Sequence, residues 1–172
     1  MRKKILLILF FLLLLQADTV AKEYNYFNLG TEPDGFKGIK WGTEIKTLQD
    51  MQFVRVDQEY QGHEVLVYHR KGDDLQLNGI PISVIEYRFW RGLLFNVEIL
   101  TRGHSNFMAL LRDTQKTYGK EHQSKKNNER YYWHGNRSSI VLEYHTKSQS
   151  GSMCIQSGDC TLINQQLKLF TE

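Results

Sequence analysis

Proline and cysteine are scarce in this 172-residue chain. Pro33 and Pro81 are the only prolines, and Cys154 and Cys160 are the only cysteines. So little proline excludes a polyproline spacer or a Pro-rich disordered segment. Two cysteines exclude a four-thiolate zinc site and a multi-disulfide scaffold. The six histidines form no H-E-x-x-H, no H-x-H and no Cys–His cluster. His63 and His69 would share a face of one strand but stand about 20 Å apart, too far for one metal ion. No metal site and no cofactor is expected. A G-x-S-x-G elbow is missing, as are both glycine-rich phosphate fingerprints, G-x-x-x-x-G-K-[ST] and G-x-G-x-x-G. A Ser–His–Asp constellation is spatial and leaves no sequence trace, so the expectation leans away from an enzyme without closing the question. There is no apolar run of the roughly 20 residues that a membrane span needs. The longest, Ile5 to Leu15, is about half that length.

That run sits between Arg2, Lys3 and Lys4 on one side and a polar stretch ending Thr19-Val20-Ala21 on the other. This is the three-part layout of a secretory signal peptide. Residues 1–21 are read as a signal peptide, with the mature chain beginning near Lys22, exported and periplasmic. The whole chain holds 22 basic and 19 acidic residues, and residues 1–21 carry three of the former and one of the latter. The mature chain keeps 19 basic and 18 acidic residues, a net charge of +1. No basic face remains for nucleic acid, and no transmembrane helix is expected in the mature chain.

What the chain has in quantity is aromatic residues: nine Phe, nine Tyr and three Trp. Residues 22–172 suit one ordered domain with a substantial core. In "GFKGIKWGTEIKTLQDM" (Gly35 to Met51), Gly42 gives a sharp turn and Thr43 a candidate N-cap. Ile45, Leu48 and Met51 then predict a short helix. Val54 and Val56, then Val65, Val67 and His69, alternate with polar neighbours and predict two strands around a turn at Gly62. "RKGDD" reads as a polar turn, with Asp73 and Asp74 as solvated acids.

The clearest hairpin runs from Ser83 to Thr101. For Ile85, Tyr87 and Phe89 to share a face with Phe95, Val97 and Ile99, paired residue numbers must sum to 184. That sets Phe89 opposite Phe95 and Trp90 opposite Leu94, around a three-residue Arg91-Gly92-Leu93 loop. Trp90 and Leu94 then form an apolar pair at the tip of an otherwise polar face, a candidate partner patch unless a loop or helix covers it.

Phe107, Leu110, Leu111, Thr114 and Tyr118 predict an amphipathic helix, with Ser105 as cap and Gly119 as stop. Residues 119–129 read as a polar loop. A second hairpin turns at "HGNR", with Tyr131 and Trp133 before it and Ile140, Leu142 and Tyr144 after it. The same turn holds Asn136-Arg137-Ser138, an N-glycosylation acceptor pattern. Met153 and Ile155 mark another strand. Ile163, Leu167 and Phe170 mark a terminal helix. The turn Ser157-Gly158-Asp159 brings Cys154 towards Cys160. Export favours a disulfide between them, which would contribute at most ~2–3 kcal/mol; two free thiols are the alternative.

The fold class that follows is α+β: antiparallel sheet with helices packed on one face. Two helix-plus-hairpin halves, 36–103 and 104–172, suggest a pseudo-repeat. The stretches "FKGIKWGTEIKTLQDM", "IEYRFWRGLLFNVEIL", "YGKE", "YYWHGNRSSIVLEYH" and "GSMCIQSGDC" resemble a group of uncharacterised exported proteins of Gram-negative bacteria. A more distant similarity is to small outer-membrane assembly lipoproteins, although the chain has no lipid-bearing cysteine near the cut. The resemblance implies no activity. The expected function is non-catalytic binding of another envelope component, a protein or a small ligand. The alternatives are a hydrolase-type enzyme with its site between the halves, or an inhibitor or immunity-type protein acting through loop 119–129.

Overall fold

Period-two segments dominate the sequence, and the computed structural model is accordingly mostly sheet. It describes residues 27–60, 63–123 and 129–158. The signal segment, Cys160, the predicted terminal helix and residues 124–128 of the polar loop lie outside the described residues.

Two short strands, β1 (Gly35–Phe36) and β2 (Ile39–Lys40), pair with each other and lead to a 3-10 turn at Ile45–Thr47. The strands β3 (Met51–Tyr60), β4 (His63–Arg70), β7 (Val84–Trp90) and β8 (Leu93–Arg102) follow, with the small hairpin β5 (Gln76–Leu77) and β6 (Ile80–Pro81) between β4 and β7. Helix α1 (His104–Tyr118) precedes β9 (His122–Gln123), β10 (Arg130–His134), β11 (Ser138–His145) and β12 (Ser150–Ser157). One antiparallel sheet has the order β3-β4-β7-β8-β12-β11-β10-β9. Two four-stranded runs therefore meet where β8 pairs with β12. The α+β class holds.

Helix α1 lays Phe107, Leu110, Leu111 and Thr114 on one face of this sheet. Beneath it lie Ile85, Tyr87, Phe89, Val97, Ile99, Trp133, Ile140, Leu142, Met153 and Ile155, all buried. The helix stops at Gly119, as its sequence predicts: the residue has φ +102°, and its N–H closes onto Gln115 O at 2.9 Å. It starts two residues earlier than predicted, after Gly103 (φ +80°), so Ser105 lies inside the first turn and caps nothing.

Two predicted elements are corrected. The helix expected at 43–51 is only the 3-10 turn, with Met51 already in β3. Its backbone is claimed by the β7–β8 tip instead: Gly42 N–H donates to Leu94 O, Leu94 N–H to Thr43 O, and Ile45 N–H to Gly92 O, at 2.8–2.9 Å. Thr43 caps no helix.

The second correction is in the hairpin. Rungs from Val84–Leu100 to Arg88–Asn96 obey the sum of 184. A β-bulge then shifts the register, so Phe89 faces Leu94 and Trp90 faces Leu93 around a two-residue loop. Arg91 (φ +53°) and Gly92 (φ +77°) are both left-handed, the combination a two-residue hairpin turn of matching twist requires. The bulge absorbs the odd residue and preserves the buried faces below it.

Candidate binding edge on the outermost strand

A sheet edge offers unpaired backbone donors and acceptors to any extended chain that reaches it. The two edges here differ. At one end β9 is two residues long, which blunts it. At the other, β3 spans ten residues, and among the described residues no strand pairs with its outer side. Along it Phe53 is 57% exposed, Val54 39% and Val56 46%. Three large apolar residues within four positions therefore stand in water on an open edge. Sequence alternation hints at a strand here, but it does not say that the strand is outermost. The closeness of Phe53, Val54 and Val56 was the one available signal.

Both sides of this edge are braced. An aromatic row runs inward, Phe53 edge-on to Tyr68 (5.7 Å) and Tyr68 edge-on to buried Phe89 (5.3 Å). On the face opposite the helix, Arg55 reaches past β4 and grips Glu86 of β7 with two hydrogen bonds, 2.7 and 2.8 Å. Arg88 continues the ladder to Glu98, and to Asp57 and Glu86 at 3.5 Å each. The hydrogen bonds from Arg55 hold the Glu86 carboxyl below its ordinary range, against the opposing effect of burial. Register slips after Phe53 and after Val56 bend the strand.

A second polar cluster ties the loops to the core. Tyr87 is fully buried, yet its hydroxyl donates to Asp73 at 2.7 Å. Lys37 pairs with the other Asp73 oxygen at 2.7 Å and also donates to Asp74 O. Arg70 pairs with Asp50 at 2.6 Å and donates to Lys37 O at 3.2 Å. Burial first, then Asp73, pushes the Tyr87 phenol far up, so it stays a donor at all ordinary pH. Asp73 is thus a structural acceptor, and reading it as a solvated turn acid is corrected. Its partners lie 36 and 14 residues away, where no local pattern reaches.

Among the described residues the catalytic types do not assemble into a relay. His145 Nε2 lies 3.3 Å from Ser152 Oγ, both on strand β11 and its neighbour β12. The histidine–carboxylate pair His104–Glu129 (2.6 Å) packs instead on the helix side, where His104 meets the Tyr144 ring edge-to-face.

Of the predicted site residues, Leu94 is overturned as a surface group: it is 1% exposed, in the main core. Leu93 takes its place opposite Trp90 and is 40% exposed. Trp90 packs on Val65 and Phe95, a small apolar cluster on the face away from the helix, with the Arg91 guanidinium 5.4 Å from its ring. Among the described residues Cys154 forms no disulfide, and its Sγ accepts from Asn96 Nδ2 at 2.8 Å. Burial pushes its pKa up to about 11. Its predicted partner, Cys160, is outside the described residues.

No protein-family model matches the chain, and neither the curated proteins nor the solved structures include a match to it.

Proposed function

We propose that this chain is a non-catalytic binding protein of the bacterial envelope, exported after loss of residues 1–21, which takes up an extended segment of another protein on the free edge of β3. The observation that carries this reading is the exposure of Phe53, Val54 and Val56 on a ten-residue edge strand. A long apolar edge left open is an aggregation hazard, and a partner strand removes it while supplying backbone hydrogen bonds and apolar contacts. The ion pairs and aromatic row behind the strand hold it rigid, which lowers the ordering cost of adding a further strand. The duplication of halves 36–103 and 104–172 belongs to the same proposal.

The test is site-specific photocrosslinking in intact cells. A photoreactive residue at Val54 or Val56 should give a discrete adduct, and one at exposed Lys116 on the helix should not. Phe53→Lys with Val56→Lys should abolish the adduct while leaving the circular dichroism unchanged. Adducts of equal yield at all three positions, or none at 54 and 56, would reject the β3 edge as the docking site.

A further inference from the structure

The connection from β10 to β11 is a tight turn, closed by Gly135 N–H to Ser138 O at 3.0 Å. Two of its backbone donors, Arg137 N–H and Ser138 N–H, converge on one carboxylate oxygen, Glu32 Oε1, at 2.5 and 2.8 Å. The Arg137 guanidinium stands 3.7 Å from the other oxygen. The Glu32 side chain is only 9% exposed, so these bonds form away from bulk water. Beside them Ser138 Oγ is buried and has no hydrogen-bond partner among the described residues.

Glu32 belongs to segment 27–34, whose far end is tied to Trp41: Trp41 Nε1–H donates to Pro33 O at 3.2 Å and Trp41 N–H to Asp34 O at 3.0 Å. Phe27 is buried edge-on against Tyr118 (5.8 Å), and Asn28 N–H donates to Tyr118 O at 2.7 Å. The residues between turn outward: Thr31 N–H returns to Asn28 O, and Leu29 at the tip is fully exposed. Two glycines from separate elements are needed for this fit. A Cβ at Gly119 would stand 2.7 Å from Asn28 Oδ1. One at Gly135 would stand 2.8 Å from the Phe27 ring and collide with the Glu32 carboxylate. A half-open cleft of about 360 Å³ lies beside the segment, between residues 31–40 and Tyr118.

We infer that the groove between Tyr118–Gly119 and Gly135–Ser138 is a binding site for acidic peptides, occupied in this chain by its own segment 27–34. Recognition is two-point: an aromatic ring on Tyr118 and, five residues on, a carboxylate on the paired amides. Backbone amides aimed at one point form an anion-binding concavity. Nothing in that geometry requires the carboxylate to belong to the same chain. Tethering gives the internal segment a high effective concentration, so an outside peptide competes with it only in large excess on the unaltered chain and enters more readily when the internal carboxylate is weakened. The site lies at the β10–β11 end of the sheet, away from β3, and stands or falls independently of the edge-binding proposal.

The test uses the full chain and a fluorescent peptide of sequence FNLGTEPD, residues 27–34. In anisotropy titrations Glu32→Gln should bind it at least about tenfold more tightly than the unaltered chain does, since one charge-assisted anchor has been vacated. The peptide with Gln for Glu should lose that gain, and adding Gly135→Ala should close the groove to both peptides. A Glu32→Gln chain with unchanged circular dichroism that binds neither peptide would overturn the inference. Should that variant fail to fold, amide NMR of the unaltered chain decides: excess peptide must move the Arg137 and Ser138 N–H resonances, and unmoved resonances reject the site.

Discussion

Phe89 and Phe95, on the two arms of one hairpin, lie on opposite faces of the sheet: Phe89 in the core under the helix, Phe95 against Val65 and Trp90 on the far side. The bulge between them moves Leu94 inward and leaves Leu93 outside. Adjacent leucines therefore differ sharply in worth. Leu94→Ala should cost about 2–5 kcal/mol, a core truncation. Leu93→Ala should stay within about 0.5 kcal/mol, a surface change. Urea unfolding of the two variants measures both, and equal losses would contradict the bulge.

The legible part of this hairpin ends where its apolar pattern becomes redundant. Ile85 and Tyr87 opposite Ile99 and Val97 alternate with charged neighbours, so period two fixes their faces. Leu93, Leu94 and Phe95 are consecutive and apolar, and either register satisfies the rule. Helix α1 was legible because Phe107, Leu110, Leu111, Thr114 and Tyr118 repeat over about three turns and Gly119 ends them. The three-step pattern of Ile45, Leu48 and Met51 was shorter, and hydrogen bonds from the hairpin tip outcompeted it. The candidate edge was half legible. Sequence gives the strand, but only topology makes β3 the last one, and Glu32 meeting Ser138 is a contact across 106 residues.

Tyr87→Phe keeps the ring and removes the donor to Asp73. Asp73 retains Lys37, so the loss is one hydrogen bond to a charged acceptor at a largely buried site, about 1.5–3 kcal/mol. Thermal melts should show the drop at pH 7. In a double-mutant cycle with Asp73→Ala the two losses should fall short of additivity, because both remove the same bond.

Acid stability should depend on Glu86. Its folded pKa is lowered, chiefly by hydrogen bonds from Arg55, so the unfolded chain binds its proton at a higher pH than the folded chain does. The contribution is complete above the unfolded value and is lost as pH falls through the folded one. Between about pH 5 and pH 3 the unaltered chain should lose stability more steeply than Glu86→Gln does. Parallel slopes in urea titrations across that range would remove Glu86 from the account.

Cys154 should be slow to react. With its pKa pushed to about 11 by burial, the thiolate is a minor species at pH 8. Iodoacetamide should leave it unmodified in the folded chain for a time that fully labels the chain in urea. A bond to Cys160 shows differently, as labelling in urea that appears only after reductant.

Gly151 is the residue on which the helix lands. It sits between Thr101 of β8 and Tyr144 of β11. A Cβ there would stand 2.8 Å from Phe107 Cδ2 and 3.0 Å from Thr101 Cγ2. Phe107 cannot swing aside freely, because the rings of Tyr144 and Tyr131 flank it at 5.2 and 6.2 Å. Gly151→Ala should therefore overpack the contact and cost about 1–3 kcal/mol, although alanine suits a strand better than glycine does. The sign separates steric from conformational effects: relief of backbone entropy alone would stabilise the variant. Phe107→Leu, destabilising by itself, should recover part of the loss when combined with Gly151→Ala. An additive pair would mean that the helix does not press on this glycine.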